Sequence, residues 1–310
     1  MDVIFFIVGT AILLTSGDFL VRAAISISNK LKISPMVVGL TVIAFGTSAP
    51  ELLVGIQATW NGHGGLAIGN IIGSNIANVF LILGVPALIL AIDNSDKELV
   101  KNYYFMLAAV SLFVLFLLFG EIGFWQGVLL IIFLILFLVQ AIFYKTGSRE
   151  SLGYEAIDTE KESLDRWRLI IFLVVGFVGL PLGAKILITS ATNFAENYGV
   201  SEEVIGLTVV AVGTSLPELA TAIAAAYRRE ANLLLGNVIG SNIFNILGIA
   251  GIASLIHPLQ LTDKIELSSV GTLIASSIVL APIIIWYVSI TRIIGIIFLL
   301  MYAGYMLVLF

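Results

Sequence analysis

The sequence predicts an all-α membrane protein of ten transmembrane helices in two inverted five-helix repeats. Three observations carry that expectation. Of 310 residues, 59% are hydrophobic and 11% are charged, and the mean hydropathy is +1.10, whereas soluble domains carry roughly 25% charged residues. Ten predominantly apolar runs reach about the 20 residues that a helix needs to cross a bilayer core at 1.5 Å per residue. Finally, residues 34–84 match 201–251 at 26 of 51 positions when aligned without gaps at an offset of 167, which marks an internal duplication.

The first five runs fall within 3–27, 36–60, 66–91, 102–119 and 122–144. The second five fall within 168–195, 203–227, 232–256, 267–289 and 291–310. Strand-like alternation is absent, so a β-barrel is not expected. The first run opens "MDVIFFIV", with an acid where a signal peptide carries positive charge, and is expected to be a retained helix. The chain therefore divides into a first repeat over 1–144, a polar linker over 145–167 and a second repeat over 168–310. With an odd number of spans per repeat, the second repeat must enter the membrane from the opposite face, an arrangement found in many secondary transporters.

Basic residues orient the whole. Lys30, Lys32, Lys97, Lys101, Lys145, Arg149, Lys161, Arg166, Arg168, Arg228, Arg229 and Arg292 fall in connections on one face, and only Lys264 falls in those on the other. Lys and Arg gather on the cytoplasmic side, so both termini are expected outside and the 145–167 loop inside, in a multi-pass protein of the cell membrane. The net charge of −5 says little about partners. With no cysteine, the chain holds neither disulfides nor thiolate metal sites.

The chemistry sits where the apolar pattern is broken. "AFGTSAPELLVGIQATW" (44–60) and "AVGTSLPELATAIAAAY" (211–227) each place a proline and a glutamate at mid-span. Proline removes a backbone donor and disfavours helical geometry at the preceding residue. Carbonyls around Ala44 to Gly46 are therefore expected to lose their partners and to face protein, water or a cation. Thr47 and Glu51 are four apart and share a helix face. Thr214 and Glu218 repeat this in the second half. "GNIIGSNIAN" (69–78) and "GNVIGSNIFN" (236–245) add Asn70, Ser74 and Asn78, and Asn237, Ser241 and Asn245, as polar stripes at four-residue spacing.

Plainer readings accompany each motif. Gly69 and Gly73, like Gly236 and Gly240, form a GxxxG spacing that commonly serves helix packing. Buried Ser and Asn side chains commonly join helices by hydrogen bonds. His63 and His257 sit near predicted helix ends and read as interfacial residues. Asp18 and Arg22 are four apart and can simply pair. Glu51 and Glu218 resist such a reading, because an intramembrane carboxylate is a functional candidate by default. Oxygen donors without nearby Cys or His suit a hard cation such as Ca²⁺ rather than a softer metal.

"GTSAPE" with "GNIIGSN", and "GTSLPE" with "GNVIGSN", resemble the two α-repeats of the calcium/cation antiporter superfamily, in particular its sodium/calcium exchanger branch. The resemblance covers the ten-span chain and implies exchange of Ca²⁺ for Na⁺ by alternating access, with no enzymatic activity and no bound cofactor. It implies Glu51, Glu218, Thr47 and Thr214 as calcium ligands, and Ser74, Ser241, Ala44 and Ala211 at sodium-site positions. Asn78 and Asn245 fill the central polar positions. Where Asn245 stands, potassium-dependent relatives resemble one another in having an aspartate, so the amide implies potassium independence. Three Na⁺ per Ca²⁺, as the family implies, makes transport electrogenic. A large calcium-sensing insertion, which some members carry in the middle loop, is missing from this sequence. Neither nucleic acid nor an obligate protein partner is implied.

The residues by themselves leave other readings open. A proton/calcium antiporter would use the same glutamates, since a buried carboxylate can trade a proton for a cation. Inverted repeats around a midplane site favour alternating access over a channel. An intramembrane hydrolase would need a catalytic dyad or HExxH, and neither is present. An organic-anion carrier could use half-helix N-termini, but two glutamates at the same place argue against it.

Overall fold

The computed structural model describes residues 2–93, 96–143, 164–197, 211–261 and 264–309. Most of them are helical, because runs this apolar satisfy their backbone polar groups internally when they fold as helices. The first half contains α1 (Asp2–Leu31), α2 (Pro35–Val38), a π-helical segment (Gly39–Ile43), α3 (Ala44–Thr47), α4 (Ala49–Trp60), α5 (Gly64–Ile89), α6 (Glu98–Leu118) and α7 (Phe124–Phe143). The second contains α8 (Arg166–Asn197), α9 (Ala211–Thr214), α10 (Leu216–Tyr227), α11 (Ala231–Ile243), a second π segment (Phe244–Ile249) and α12 (Ala250–Ile256). It closes with α13 (Lys264–Val279), α14 (Ala281–Ile285) and α15 (Arg292–Leu309).

Eight described helices are long and apolar enough to cross a membrane, and the bent pair over 35–60 brings the number to nine. The seventh expected span, 203–227, is described only from Ala211 onward, so residues 203–210 of it lie outside the described residues. The same is true of most of the expected linker, 145–163. Expected span 267–289 ends as helix at Ile285, with a break at Leu280 where Pro282 starts a new short helix. The protein is a multi-pass, all-helical membrane protein.

Burial separates the helices into layers. α5 and the α11–α12 unit are almost wholly enclosed, while α1, α7, α8 and α15 expose broad apolar faces, as helices in contact with lipid must. α1 and α8 pack side by side. A Cβ at Gly9 would meet Leu187 N at 2.8 Å, one at Gly183 would meet Leu13 N at 2.8 Å, and one at Gly176 would meet Leu20 Cβ at 2.8 Å. Partners on α8 fall in number as those on α1 rise, so the two helices are antiparallel. Phe19 stacks on Phe172 with ring centroids 4.5 Å apart at the far end of this seam. Small residues at such positions let backbones approach closely.

Gly236 and Gly240 pack against the backbones of Met36 and Leu40, so the packing reading of this GxxxG pair holds. The equivalent partners of Gly69 and Gly73, residues 203 and 207, lie outside the described residues. Two further contacts recur at matched positions. Gly84 meets Gly295, and Gly251 meets Gly127; Ile92 bridges Ile290, and Ile122 pairs with Leu259 in the small sheet of β1 (Glu121–Ile122) and β2 (Leu259–Gln260). Ile92 and Leu259 are 167 apart in sequence, as are Gly84 and Gly251, while Ile122 and Ile290, like Gly127 and Gly295, are 168 apart, one residue off that offset. α6 joins Ile92 to Ile122, so the two loop pairings sit at opposite ends of the helix layer.

Candidate functional site

The two acidic motifs fold as near copies. Ser34 accepts a hydrogen bond from Met36 N at 3.2 Å and caps a first turn that begins with Pro35. The helix breaks at Ser48 (φ −83°, ψ 7°) and restarts with Pro50 in the first turn of α4, which bends by 46° from the preceding segment. Ser215 (φ −86°, ψ 4°) makes the same break before Pro217. Proline is tolerated there because a first-turn residue needs no intrahelical donor. Glu51 and Glu218 then fall in the first turns of α4 and α10, where the helix dipole favours negative charge.

The break is one residue earlier than Pro50 alone predicts, and this corrects one expectation. The Ala44 carbonyl is not freed: Ser48 N donates to it at 3.1 Å, and the Thr47 hydroxyl approaches it at 3.5 Å. Ala49 is helical, and the carbonyl that Pro50 deprives of its donor is that of Gly46, four residues back. In the second motif Ser215 N donates to Val212 O at 3.1 Å, a tighter turn. Of Ala211 only the backbone is described, and its role stays an expectation.

The fold brings the two motifs together. Glu51 and Glu218 are 1% and 2% exposed, and their carboxylates are near enough to interact electrostatically. The Ser48 hydroxyl donates to Glu218 Oε1 at 3.1 Å, and Thr47 lies beside the same carboxylate. The amide stripes flank this pair. Asn70 Nδ2 donates to the Glu51 carbonyl at 3.2 Å, tying α5 to α4, and Asn237 Nδ2 donates to Thr221 Oγ1 at 3.4 Å, tying α11 to α10. Asn78 Nδ2 donates to Asn242 Oδ1 at 2.9 Å, joining α5 to α11 across the repeats.

Several of these oxygens are buried with no hydrogen-bond partner among the described residues: both of Glu51, Oε2 of Glu218, the hydroxyls of Ser215 and Ser241, and the amide oxygens of Asn237 and Asn245. Buried polar atoms are nearly always satisfied, so this concentration of acceptors in one place fits a cation that supplies the missing charge. Among the described residues no third His, Cys, Asp or Glu joins the pair. Amides, hydroxyls and carbonyls must complete any coordination shell, as Ca²⁺ and Na⁺ accept.

Not every predicted residue offers an oxygen equally. Ser74 donates its hydroxyl to the Asn70 carbonyl within its own helix, while Ser241 is fully buried without a partner. Thr214 is half-buried. Asn78 lies on the unbroken α5, whereas Asn245 lies in the π segment over 244–249; such insertions are frequent at functional sites. Ser48, Asn75 and Asn242 were not singled out as site residues. Their signal was available, since Ser48 matches Ser215 and Asn75 matches Asn242 at the 167 offset.

Asp18 and Arg22 pair at 3.0 Å as expected, and Arg228 joins them at 2.6 Å from Asp18, linking α1 to the end of α10. His63 and His257 occupy exposed positions at the start of α5 and the end of α12.

Broken helices meeting around a buried, doubly acidic and oxygen-rich centre define a polytopic membrane protein built to handle cations. The chain matches the family model described as sodium/calcium exchanger protein over residues 1–143 and 168–310, and it belongs to that family. It is 32% identical to the sodium/calcium exchanger MaX1 of Methanosarcina acetivorans, over 98% of this chain and 97% of that one. It is 36% identical to the putative antiporter CaxA of Alkalimonas amylolytica, over 82% and 81%. A solved structure of the sodium-calcium exchanger NCX_Mj soaked with zero Na⁺ and Ca²⁺ superposes with a TM-score of 0.84 at 32% identity, covering 98% and 97% of the two chains. The family is one of exchangers rather than enzymes.

Proposed function

We propose that this protein exchanges Ca²⁺ for Na⁺ by alternating access, with Glu51 and Glu218 as the principal calcium ligands. Thr47, Thr214, Ser74, Ser241, Asn78, Asn245 and the Ala211 carbonyl complete the ion sites, together with the Ala44 carbonyl through the second lone pair that its bond from Ser48 N leaves. The observation that carries this reading is the pair of buried glutamates, three of whose four carboxylate oxygens have no hydrogen-bond partner among the described residues. Two carboxylates balance one Ca²⁺. Three Na⁺ in its place leave one extra positive charge, so exchange is electrogenic and responds to voltage by about 2.3 kcal/mol per charge per 100 mV. The amide at Asn245 keeps the site independent of K⁺.

Ten helices in two inverted repeats fit this mechanism. In support, the Gly84–Gly295 contact is matched by Gly251–Gly127, and the Ile92–Ile290 bridge by Ile122–Leu259. The α1–α8 pair runs across the broken helices, with Gly46 under the Phe177 ring, Gly213 under Ile188 and Gly17 against the Ala220 backbone. This pair rocks over a core that stays fixed around the ions. Unpaired glutamates resist passing an apolar barrier because burying bare charge is costly, and occupancy therefore licenses the switch. Lys30, Lys32, Lys97 and Arg292 flank the face that carries the Ile92–Ile290 bridge, which supports a cytoplasmic position for that face and termini on the outside.

Flux in proteoliposomes tests the reading. Vesicles loaded with Na⁺ should take up Ca²⁺ on dilution into Na⁺-free buffer, unaffected by a proton ionophore once the membrane potential is clamped. Uptake driven equally well by a pH gradient without Na⁺ would favour proton/calcium exchange instead.

A further inference from the structure

The amide of Asn78 can serve a cation only through its oxygen, because its NH₂ group repels positive charge. Nothing in Asn78 itself fixes which end faces the site. Asn242, buried to 1% exposure in α11, supplies the missing constraint. Its Oδ1 accepts from Asn78 Nδ2 at 2.9 Å, while its own Nδ2 faces the Met106 sulfur of α6 at 3.6 Å. A thioether accepts weakly and donates nothing, so Met106 holds the NH₂ end of Asn242 and turns its oxygen to Asn78. That oxygen then anchors the NH₂ end of Asn78 and leaves Asn78 Oδ1 for the ion.

The other repeat lacks this arrangement. Asn75, which matches Asn242 in sequence, donates to Ile71 O at 2.6 Å within its own helix, and its Oδ1 is buried without a partner among the described residues. Asn245 Oδ1 is likewise without a partner. Two amides at equivalent sequence positions are thus held differently.

We propose that Asn242 is a positioning residue for ion binding, acting through Asn78 and without itself touching the ion. The proposal rests on the site assigned above. Its test is a double-mutant cycle in Na⁺-driven ⁴⁵Ca²⁺ uptake, using the intact protein, Asn78→Ala, Asn242→Leu and the combination. Removing the acceptor should raise the Ca²⁺ concentration for half-maximal uptake by about tenfold, in line with the loss of one buried hydrogen bond, with the maximal rate kept within about threefold. In the Asn78→Ala background, Asn242→Leu should add nothing. Penalties that multiply, or an unchanged half-maximal concentration in Asn242→Leu, would overturn the proposal. Should Asn242→Leu fail to accumulate in the membrane, Asn242→Ala removes the same acceptor without bulk and is judged by the same two outcomes. Glu51→Gln measured alongside separates the two claims: its loss of transport together with multiplying penalties removes only the role of Asn242, whereas wild-type transport by Glu51→Gln removes the site on which that role rests.

Discussion

Ser48 of the first repeat donates its hydroxyl to Glu218 of the second at 3.1 Å, while the matching hydroxyl of Ser215 has no partner among the described residues. Residues that are identical in sequence therefore do different work in this state of the protein. A hydrogen bond to a buried carboxylate contributes about 1.5–3 kcal/mol. In the absence of Ca²⁺ and Na⁺, Ser48→Ala should lower the melting temperature in detergent while Ser215→Ala changes it little. Saturating Ca²⁺ should narrow the difference, because a cation replaces the donor that Glu218 lost and binding stabilises the folded form. Equal losses in the two variants, or a gap that Ca²⁺ leaves unchanged, would show that the Ser48 bond has no such role.

Charge balance gives the second prediction. Glu51→Gln and Glu218→Gln keep size and hydrogen-bonding capacity but each removes half of the charge that offsets Ca²⁺, in surroundings where water cannot make up the loss. Calcium uptake should fall to background in either variant, measured with protein matched for reconstitution. Wild-type exchange by Glu218→Gln beside an inactive Asn245→Ala would move the site from the carboxylates to the amide stripes.

Asn245 is the third test. Asn245→Asp is nearly isosteric and adds a third carboxylate to a cluster that already holds two, so the added charge needs a proton or a further cation. Uptake by Asn245→Asp should become more dependent on pH or gain sensitivity to added K⁺, while Asn245→Ala should keep measurable exchange. Asn245→Asp with unaltered pH and K⁺ responses would end the argument from this amide to potassium independence.

Orientation is the fourth. Single cysteines at Gly64 and Asn197 should react with impermeant thiol reagents applied from outside, and one at Ser151, in the expected linker, only from inside. The native chain has no cysteine to confuse the signal. The reverse labelling pattern would overturn the inference drawn from the basic residues.

The sequence by itself determined the solvent, the helical class, the repeat and the residue types of the site. Those are one-dimensional properties: apolar runs of bilayer length, a fixed offset of 167, and glutamates that no lipid-facing helix tolerates at mid-span. It also located the breaks to within a residue or two, because proline acts on its immediate neighbours. Only the tertiary structure decided what those residues touch. Pattern reasoning freed the carbonyls from Ala44 to Gly46, whereas the chain closes a last turn onto Ala44 through Ser48 N, and of the three it is Gly46 whose helical donor Pro50 removes. It treated the repeats as equals, yet Ser48 meets Glu218, Asn78 meets Asn242, and the helix with Asn245 turns to a π segment where α5, which carries Asn78, stays α-helical. A repeated sequence encodes the same local preferences twice. Two interlocked copies occupy one asymmetric conformation, and the contacts between them are settled by packing, where each side chain finds a different neighbour.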